Sequence, residues 1–398
     1  MKTTVAFIFG CRSVEHEVSI ISAVQAMRSV DREKYDIVPV YVSKNGEMFT
    51  SEQMLEIEPF RDMKALLAKA EPVTMIKSGK DVVLRFLNNG VFSKKKDIVV
   101  NVAFPVVHGT NCEDGTLQGY LEFLGLPYVG CDVLSSAVGM DKAVFKYVMK
   151  AANLPVLDCI CFTAREFAED REAVIKRAEK EIGYPMIIKP VNLGSSVGIT
   201  KAGDQNALTD AIELAVSFSD KVLIEHAVTA IREINCSVIG DADSSEASVC
   251  EEPFMNDEIL SYEDKYLGGS KKTGGASKGM ASLGRKLPAD LPTEKSDEIR
   301  DLAKKVFKAL GASGVVRIDF IIDTDTDKVY VNEINTIPGS LSFYLWEATE
   351  LPYKELINKL IALAFRRNRN RQNLTFTIDT NILSGVSLGS KGAKGSKM

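Results

Sequence analysis

Two short stretches bring chemistry-bearing residues together: RIDF (317–320) and NEIN (332–335). In an extended strand, residues two apart share a face. Arg317 therefore shares a face with Asp319, and Glu333 with Asn335. The DTDT between them suits a hairpin turn that sets the two strands side by side. Two carboxylates and an amide oxygen converging across a hairpin make a hard, all-oxygen site. Such a site suits Mg²⁺ held together with water and substrate phosphates. An arginine in the same row favours an anionic transition state. A salt-bridge ladder on a surface ribbon would use the same residues. The TIPG that follows (336–339) favours the site, because a Pro-Gly turn brings backbone N–H groups beside it.

A second stretch, KPVNLGSSVG (189–198), follows the apolar run YPMII. Backbone N–H groups of a Gly/Ser loop can cradle phosphate, and a nearby lysine adds positive charge. The order is not that of GxxxxGK[ST], since the lysine precedes the loop, so a nucleotide site of another design is implied. A tight β-hairpin is the plain alternative. Lys142, which follows MD at the head of a helical run, is a second candidate phosphate contact; an exposed helix lysine is the alternative. SVEHEVS (13–19) and HGTNCEDG (108–115) each place a histidine and carboxylates on a loop. One reading is a pocket for an ammonium group. The other is helix capping by Ser13, with His16 where a capping box wants Glu or Gln. No GxSxG elbow supports a serine hydrolase.

The elements that must position these residues follow from periodicity. TVAFIF, a loop, and VSIISAVQAMRSV read as strand–loop–helix; DIVPVYVS and DIVVNVAFPVV (97–107) read as further strands. This alternation predicts a doubly wound α/β domain with a parallel sheet, ligands sitting past the strand ends. From Gly130 the pattern becomes α+β: the helix of 140–155, the strand LDCICF, one charged helix REFAEDREAVIKRAEKEI, then YPMIIKP and KVLIEHAV. A third region from Ile231 holds alternating strands, a Gly/Lys/Ser-rich loop, the helix SDEIRDLAKKVFKAL and the strand pair. After Phe365 the basic run RRNRNR leads into a Gly/Ser/Lys-rich tail, expected to be a flexible extension at its end.

Bulk properties exclude several classes. The formal net charge of −5 argues against nucleic acid or an anionic membrane as partner. There is no apolar run of membrane-spanning length. The N-terminal MKTTVAFIFG lacks a small-residue cleavage site and reads as a strand rather than a signal peptide. Seven cysteines, odd in number and without a CxxC pair, suit a reduced cytoplasmic enzyme.

Together, the blocks FGCRSVEHEVSIISA, FPVVHGTNCEDGTLQGYLEFLGLPYVG, MDK, YPMIIKPVNLGSSVGI, SYEDKY, RIDF and NEINTIPG resemble the D-alanine–D-alanine ligase family of the ATP-grasp superfamily. They run in family order over nearly the whole chain. The resemblance implies an ATP-grasp fold with a doubly wound N-terminal domain. The expected units are residues 1–130, 131–228 and 229–366, with a basic tail at 367–398. It implies ATP-dependent joining of two D-alanines through an acyl-phosphate, for peptidoglycan precursors, with two Mg²⁺ (or Mn²⁺) ions. A cytoplasmic homodimer is expected.

By the same resemblance, Lys142, Lys189 and Lys265 meet the ATP phosphates, Glu225 begins the adenine hinge, and Glu233 meets the ribose. Asp319, Glu333 and Asn335 look like metal ligands. Arg317 and the Gly339 N–H look like the oxyanion stabilisers. Glu15 resembles the partner of the first substrate's ammonium, with His108 nearby and Ser195 coupling Glu15 to Tyr266. Phe343 and Tyr344 depart from the family's histidine and serine beside the acceptor carboxylate. Ser340, Ser342 or the Tyr344 hydroxyl is expected to substitute. Another acceptor, such as D-serine, and a non-catalytic nucleotide-binding relative stay open as alternatives.

Overall fold

The computed structural model describes residues 2–88, 95–194, 197–253 and 284–386. Three sheets are found among them. The first begins with β1 (Thr3–Gly10), whose last six residues are buried. Such a continuous apolar run marks a strand covered on both faces. Helix α1 (His16–Arg28) connects it to β2 (Tyr35–Val42), its parallel partner. Past β2 lie β3 (Met48–Thr50), β4 (Glu71–Ser78) and β5 (Asp81–Phe86), all antiparallel, with α2 (Met63–Lys69) outside the sheet.

The predicted single strand at 97–107 is in fact two, β6 (Ile98–Val100) and β7 (Val102–Pro105). The sheet order is β6-β5-β4-β3-β2-β1-β7, so these neighbours in sequence occupy opposite edges. One intervening residue, Asn101, must span them, so the sheet curls until its edges meet. Asn101 fixes the seam by exchanging hydrogen bonds with the Thr4 backbone at 2.8 and 3.0 Å. The predicted parallel sheet is therefore the β2-β1-β7 portion of a larger mixed sheet.

Helices α3 (Thr116–Leu124), α4 (Val133–Met140) and α5 (Lys142–Ala151) lead to the second sheet. Its strands are β8 (Cys159–Thr163), β9 (Met186–Pro190), β10 (Thr200–Ala202) and β11 (Lys221–His226), in the order β10-β9-β11-β8. The charged segment after β8 is two helices rather than one, α6 (Ala164–Glu169) and α7 (Arg171–Glu181). A capping box between Thr163 and Glu166 opens the first. Asp170 ends it and caps the second through the Ala173 N–H at 2.9 Å. Helix α8 (Gln205–Val216) completes this unit. β9 and β10 pair antiparallel.

The third sheet has the order β14-β13-β12-β15-β16. Its strands are β12 (Ile231–Gly240), β13 (Ser245–Pro253), β14 (Arg285–Lys286), β15 (Gly314–Asp323) and β16 (Lys328–Asn335). Helix α9 (Thr293–Leu310) buries Ile299, Ala303, Val306 and Phe307 against it. Short α10 (Phe343–Glu347) and long α11 (Tyr353–Gln372) follow. Leu356, Ile357 and Leu360 of α11 join the same apolar core as Phe7 and Phe104 of the first sheet.

The basic run RRNRNR is the end of α11, not the start of a tail. Arg366 pairs with Asp241, and Arg371 with Glu122 at 2.6 Å. Arg367 donates to the carbonyls of Gly130 and Tyr128 and lies 4.2 Å over the Tyr128 ring. These arginines staple the helix to its own fold. No helix among the described residues is long and apolar enough to cross a membrane.

Candidate active site

β15 and β16 pair so that Asp319 faces Glu333 and Arg317 faces Asn335. A register shift after Asp319 leaves Asn332 as the extra residue of a bulge. Bulges re-aim side chains, and here Asn332 presents its Oδ1 to Lys189 Nζ at 3.2 Å. Arg317 grips Asp319 with two parallel bonds of 2.7 Å. Burial would lower the Arg317 pKa, but the Asp319 carboxylate holds it well above the usual value. Asn335 donates its Nδ2–H to Asp319 at 3.1 Å, which leaves its Oδ1 as the atom that could ligate a metal.

Lys142 opens α5 because Asp141 caps the helix, accepting from the Ala143 and Val144 N–H groups. Its Nζ lies 3.1 Å from Glu333 and donates to the Leu193 carbonyl at 2.7 Å. Leu193 belongs to the Gly/Ser loop, so one lysine bridges that loop and the metal-ligand candidate. Lys189 is buried on β9 and pairs with Glu225. Lys146, one turn beyond Lys142 on α5, pairs with Glu225 as well. Burial alone would raise the Glu225 carboxyl; the two lysines hold it down to about 2. The side chain of Glu225 is thus a buried counter-ion, which leaves only its backbone for an adenine hinge.

This triad has a testable consequence. Glu225 titrates below its ordinary value of 4.5, so its stabilisation is present above that pH and is lost as pH falls towards 2. Lys146→Met removes one buried partner and should cost about 3 kcal/mol at neutral pH. Denaturant unfolding at pH 7 and pH 3 is the check. An equal loss at both values would contradict the electrostatic origin.

Glu15 sits at the N-terminal end of α1 and is buried. The helix has no side-chain cap; the Ser13 hydroxyl instead accepts the Glu15 N–H at 3.1 Å. The Glu15 carboxylate is so close to two backbones that a Cβ on Gly109 or Gly194 would stand 2.9 Å from Oε2. At Gly109 a left-handed φ of 81° and the Ser13 hydroxyl, closer still to such a Cβ, add to the demand for glycine. The Gly/Ser loop therefore touches the ammonium candidate through Gly194. Ser195, Lys265 and Tyr266 lie outside the described residues.

His108 is buried, with Nδ1 2.9 Å from the Ile337 carbonyl and Nε2 3.1 Å from Ser22 Oγ. Burial lowers its pKa. Glu113, which sequence reasoning passed over, accepts the N–H of Gly109 at 3.0 Å and of Ile337 at 2.9 Å. Burial raises its carboxyl to about 7.

Glu15, Lys142, Glu233, Arg317, Asp319 and Glu333 line one cleft, joined by His108, Glu113, Asn335, Gly339 and Tyr344. Ser340 does not line it: its hydroxyl donates to Gln25 at 2.6 Å and its N–H to Ser22. Helix α1 thus holds that hydroxyl through Gln25, away from the cleft that was expected to bind an acceptor carboxylate. Ser342 is likewise buried outside the cleft. Tyr344 donates to Glu251 at 2.8 Å, and Arg285 stacks 4.0 Å from its ring while pairing with Glu251 at 2.8 Å. Burial raises the Tyr344 pKa, and Glu251 adds to it. Neither Glu251 nor Arg285 stood out in sequence, because they come from two strands with no motif.

Among the described residues no three His, Cys, Asp or Glu side chains lie close enough together to hold a metal ion by themselves. Two carboxylates and an amide still fit Mg²⁺, which keeps waters and shares substrate phosphates.

Residues 4–131 match the family model described as D-ala D-ala ligase N-terminus, and residues 148–362 the one described as D-ala D-ala ligase C-terminus. The chain belongs to the D-alanine–D-alanine ligase family. It is 39% identical to the D-alanine–D-alanine ligase of Thermosipho melanesiensis, over 95% of this chain and 98% of that one. The ligase of Caldicellulosiruptor bescii is 40% identical over 94% and 99%. The solved D-alanine–D-alanine ligase of Coxiella burnetii superposes with a TM-score of 0.77 at 30% identity, covering 93% and 96%. The VanG D-Ala:D-Ser ligase of Enterococcus faecalis superposes at 0.75 with 32% identity, covering 92% and 100%. The architecture is accordingly the three-part ATP-grasp fold of this ligase family, and membership implies use of ATP and a divalent metal.

Proposed function

We propose that the cleft joins two D-alanines into D-alanyl-D-alanine, converting ATP to ADP and phosphate. The observation that carries this reading is the convergence of Glu15, Lys142, Arg317, Asp319, Glu333 and Gly339 on one cleft. The first D-alanine's ammonium pairs with Glu15. Its carboxylate oxygen attacks the γ-phosphorus, and ADP leaves. The second D-alanine's amine, after losing a proton, attacks the acyl carbon. Phosphate departs with the transferred oxygen, leaving the new amide.

Each residue type answers a need of that sequence. Carboxylate and ATP are both anions, so Lys142 and Lys189 screen the phosphates. Glu225 at the hinge and Glu233 at the ribose complete the nucleotide contacts. Arg317 and the Gly339 N–H meet the tetrahedral oxyanion. Asp319, Glu333 and Asn335 would hold the two Mg²⁺ (or Mn²⁺) ions, which would supply neutralising charge to the phosphates. The Tyr344–Glu251–Arg285 wall borders the acceptor's side. Because that wall replaces the family's serine, and one structural relative is a D-Ala:D-Ser ligase, D-serine is the second reading for the acceptor. We take the working form to be a cytoplasmic homodimer that serves peptidoglycan precursor synthesis.

Incubation with ATP, Mg²⁺ and D-alanine should yield D-alanyl-D-alanine and one phosphate per dipeptide, read by mass and chirality. Adding D-serine tests the second reading directly. Product from L-amino acids alone would overturn both.

A further inference from the structure

The turn that carries Gly339 is strained. Ser340, Leu341 and Ser342 all adopt left-handed backbone angles, with φ of 50, 56 and 50°. Such angles are unfavourable for non-glycine residues and persist only where surroundings over-determine them. The surroundings here form one connected circuit. A carbonyl only accepts, so His108 Nδ1 carries the proton that bonds Ile337 O. In the neutral ring, which burial favours, Nε2 accepts from Ser22 Oγ–H. Ser22 Oγ in turn accepts the Ser340 N–H at 3.0 Å. Glu113 closes the circuit from the other side. One carboxylate oxygen takes the Ile337 N–H and faces Thr336 Oγ1 at 3.4 Å; the other takes the Gly109 N–H.

We infer that Glu113 is a positioning residue for the oxyanion turn. Its two oxygens tie the loop carrying His108 to Ile337, two residues before Gly339. Both polar backbone groups of Ile337 and the N–H of Ser340 are then fixed, and the Gly339 N–H between them is aimed without touching Glu113. His108 acts in the same clamp, which accounts for both of its ring nitrogens. What the aimed N–H does rests on the ligase reading; that the clamp holds the turn does not.

Glu113→Gln keeps the size of the side chain but offers one acceptor oxygen where two N–H groups need one each. Amide hydrogen exchange of the full chain without ligands tests the clamp independently of activity. Exchange across 336–340 should speed up about 10-fold or more, with the β15 amides unchanged. Kinetically, kcat for dipeptide formation should fall about 100-fold, since small misplacements of catalytic groups cost that much. KM for ATP and for D-alanine should stay within about twofold. Glu113→Asp, too short to reach both loops, should give intermediate exchange, and denaturant midpoints show that both variants are folded. Unchanged exchange would overturn the clamp. So would a raised KM for D-alanine with kcat intact, which would make Glu113 a direct ligand of the ammonium group. If the parent chain makes no dipeptide, the ligase reading fails while the exchange result still decides the clamp.

Discussion

Asp319→Asn should lower dipeptide formation by about 1000-fold or more. Two losses combine at this residue. The carboxylate is one of two facing each other across the β15–β16 hairpin, so its removal halves the anionic charge available to a metal. Lewis-acid and charge-neutralising roles are worth several kcal/mol, and each 1.36 kcal/mol is tenfold in rate. Asp319 is also the bidentate partner of Arg317, and the amide cannot accept both guanidinium bonds. The control is Mn²⁺ binding, followed by electron paramagnetic resonance in the presence of a non-hydrolysable ATP analogue. Affinity should drop along with the rate. A rate loss with full Mn²⁺ affinity would remove Asp319 from the metal site and leave it only as the anchor of Arg317.

Arg317→Met should reduce kcat by about 100–1000-fold, the loss seen when one oxyanion donor is deleted. The guanidinium is held by Asp319 on one side and lines the cleft with Gly339. It is therefore aimed before substrate arrives. Arg317→Lys should recover little, because an ammonium cannot keep a two-point grip on Asp319 and still reach into the cleft. KM for ATP should barely move, since Lys142 and Lys189 carry the phosphate contacts in this account. A large rise in that KM with kcat preserved would make Arg317 a nucleotide ligand.

Much of this site was legible because it follows strand periodicity. Alternate residues in RIDF and NEIN had to share faces, and the hairpin sets Asp319 opposite Glu333. The partner choices across elements were not legible. Nothing local marks Lys146 as a second cation for Glu225; only its spacing of one helical turn from Lys142 hinted that it faces the same way. Glu113 was visible as a carboxylate in a glycine-rich loop, but Ile337 stands 224 residues away. Ser340 had the right chemistry for an acceptor site. Its three-residue left-handed turn, set by packing against α1, sends the hydroxyl to Gln25 instead.

The fold shows the same division. Buried runs such as β1 read correctly, whereas the 97–107 run hid a sheet closure. Asn101 interrupts it by a single residue, and no periodicity reports that the flanking strands occupy opposite edges. The charged helix split at Asp170 because its capping bonds outweigh continuation. The arginines of RRNRNR looked like a tail because their partners, Asp241, Tyr128 and Glu122, come from distant parts of the chain.

The central claim is that the cleft activates a carboxylate by phosphorylation before an amine displaces the phosphate. Oxygen tracing tests it most directly. D-alanine labelled with ¹⁸O in both carboxylate oxygens is turned over with unlabelled ATP, and the released phosphate is analysed by mass spectrometry. Each phosphate should carry one ¹⁸O for every dipeptide formed. Dipeptide accompanied by unlabelled phosphate would contradict it.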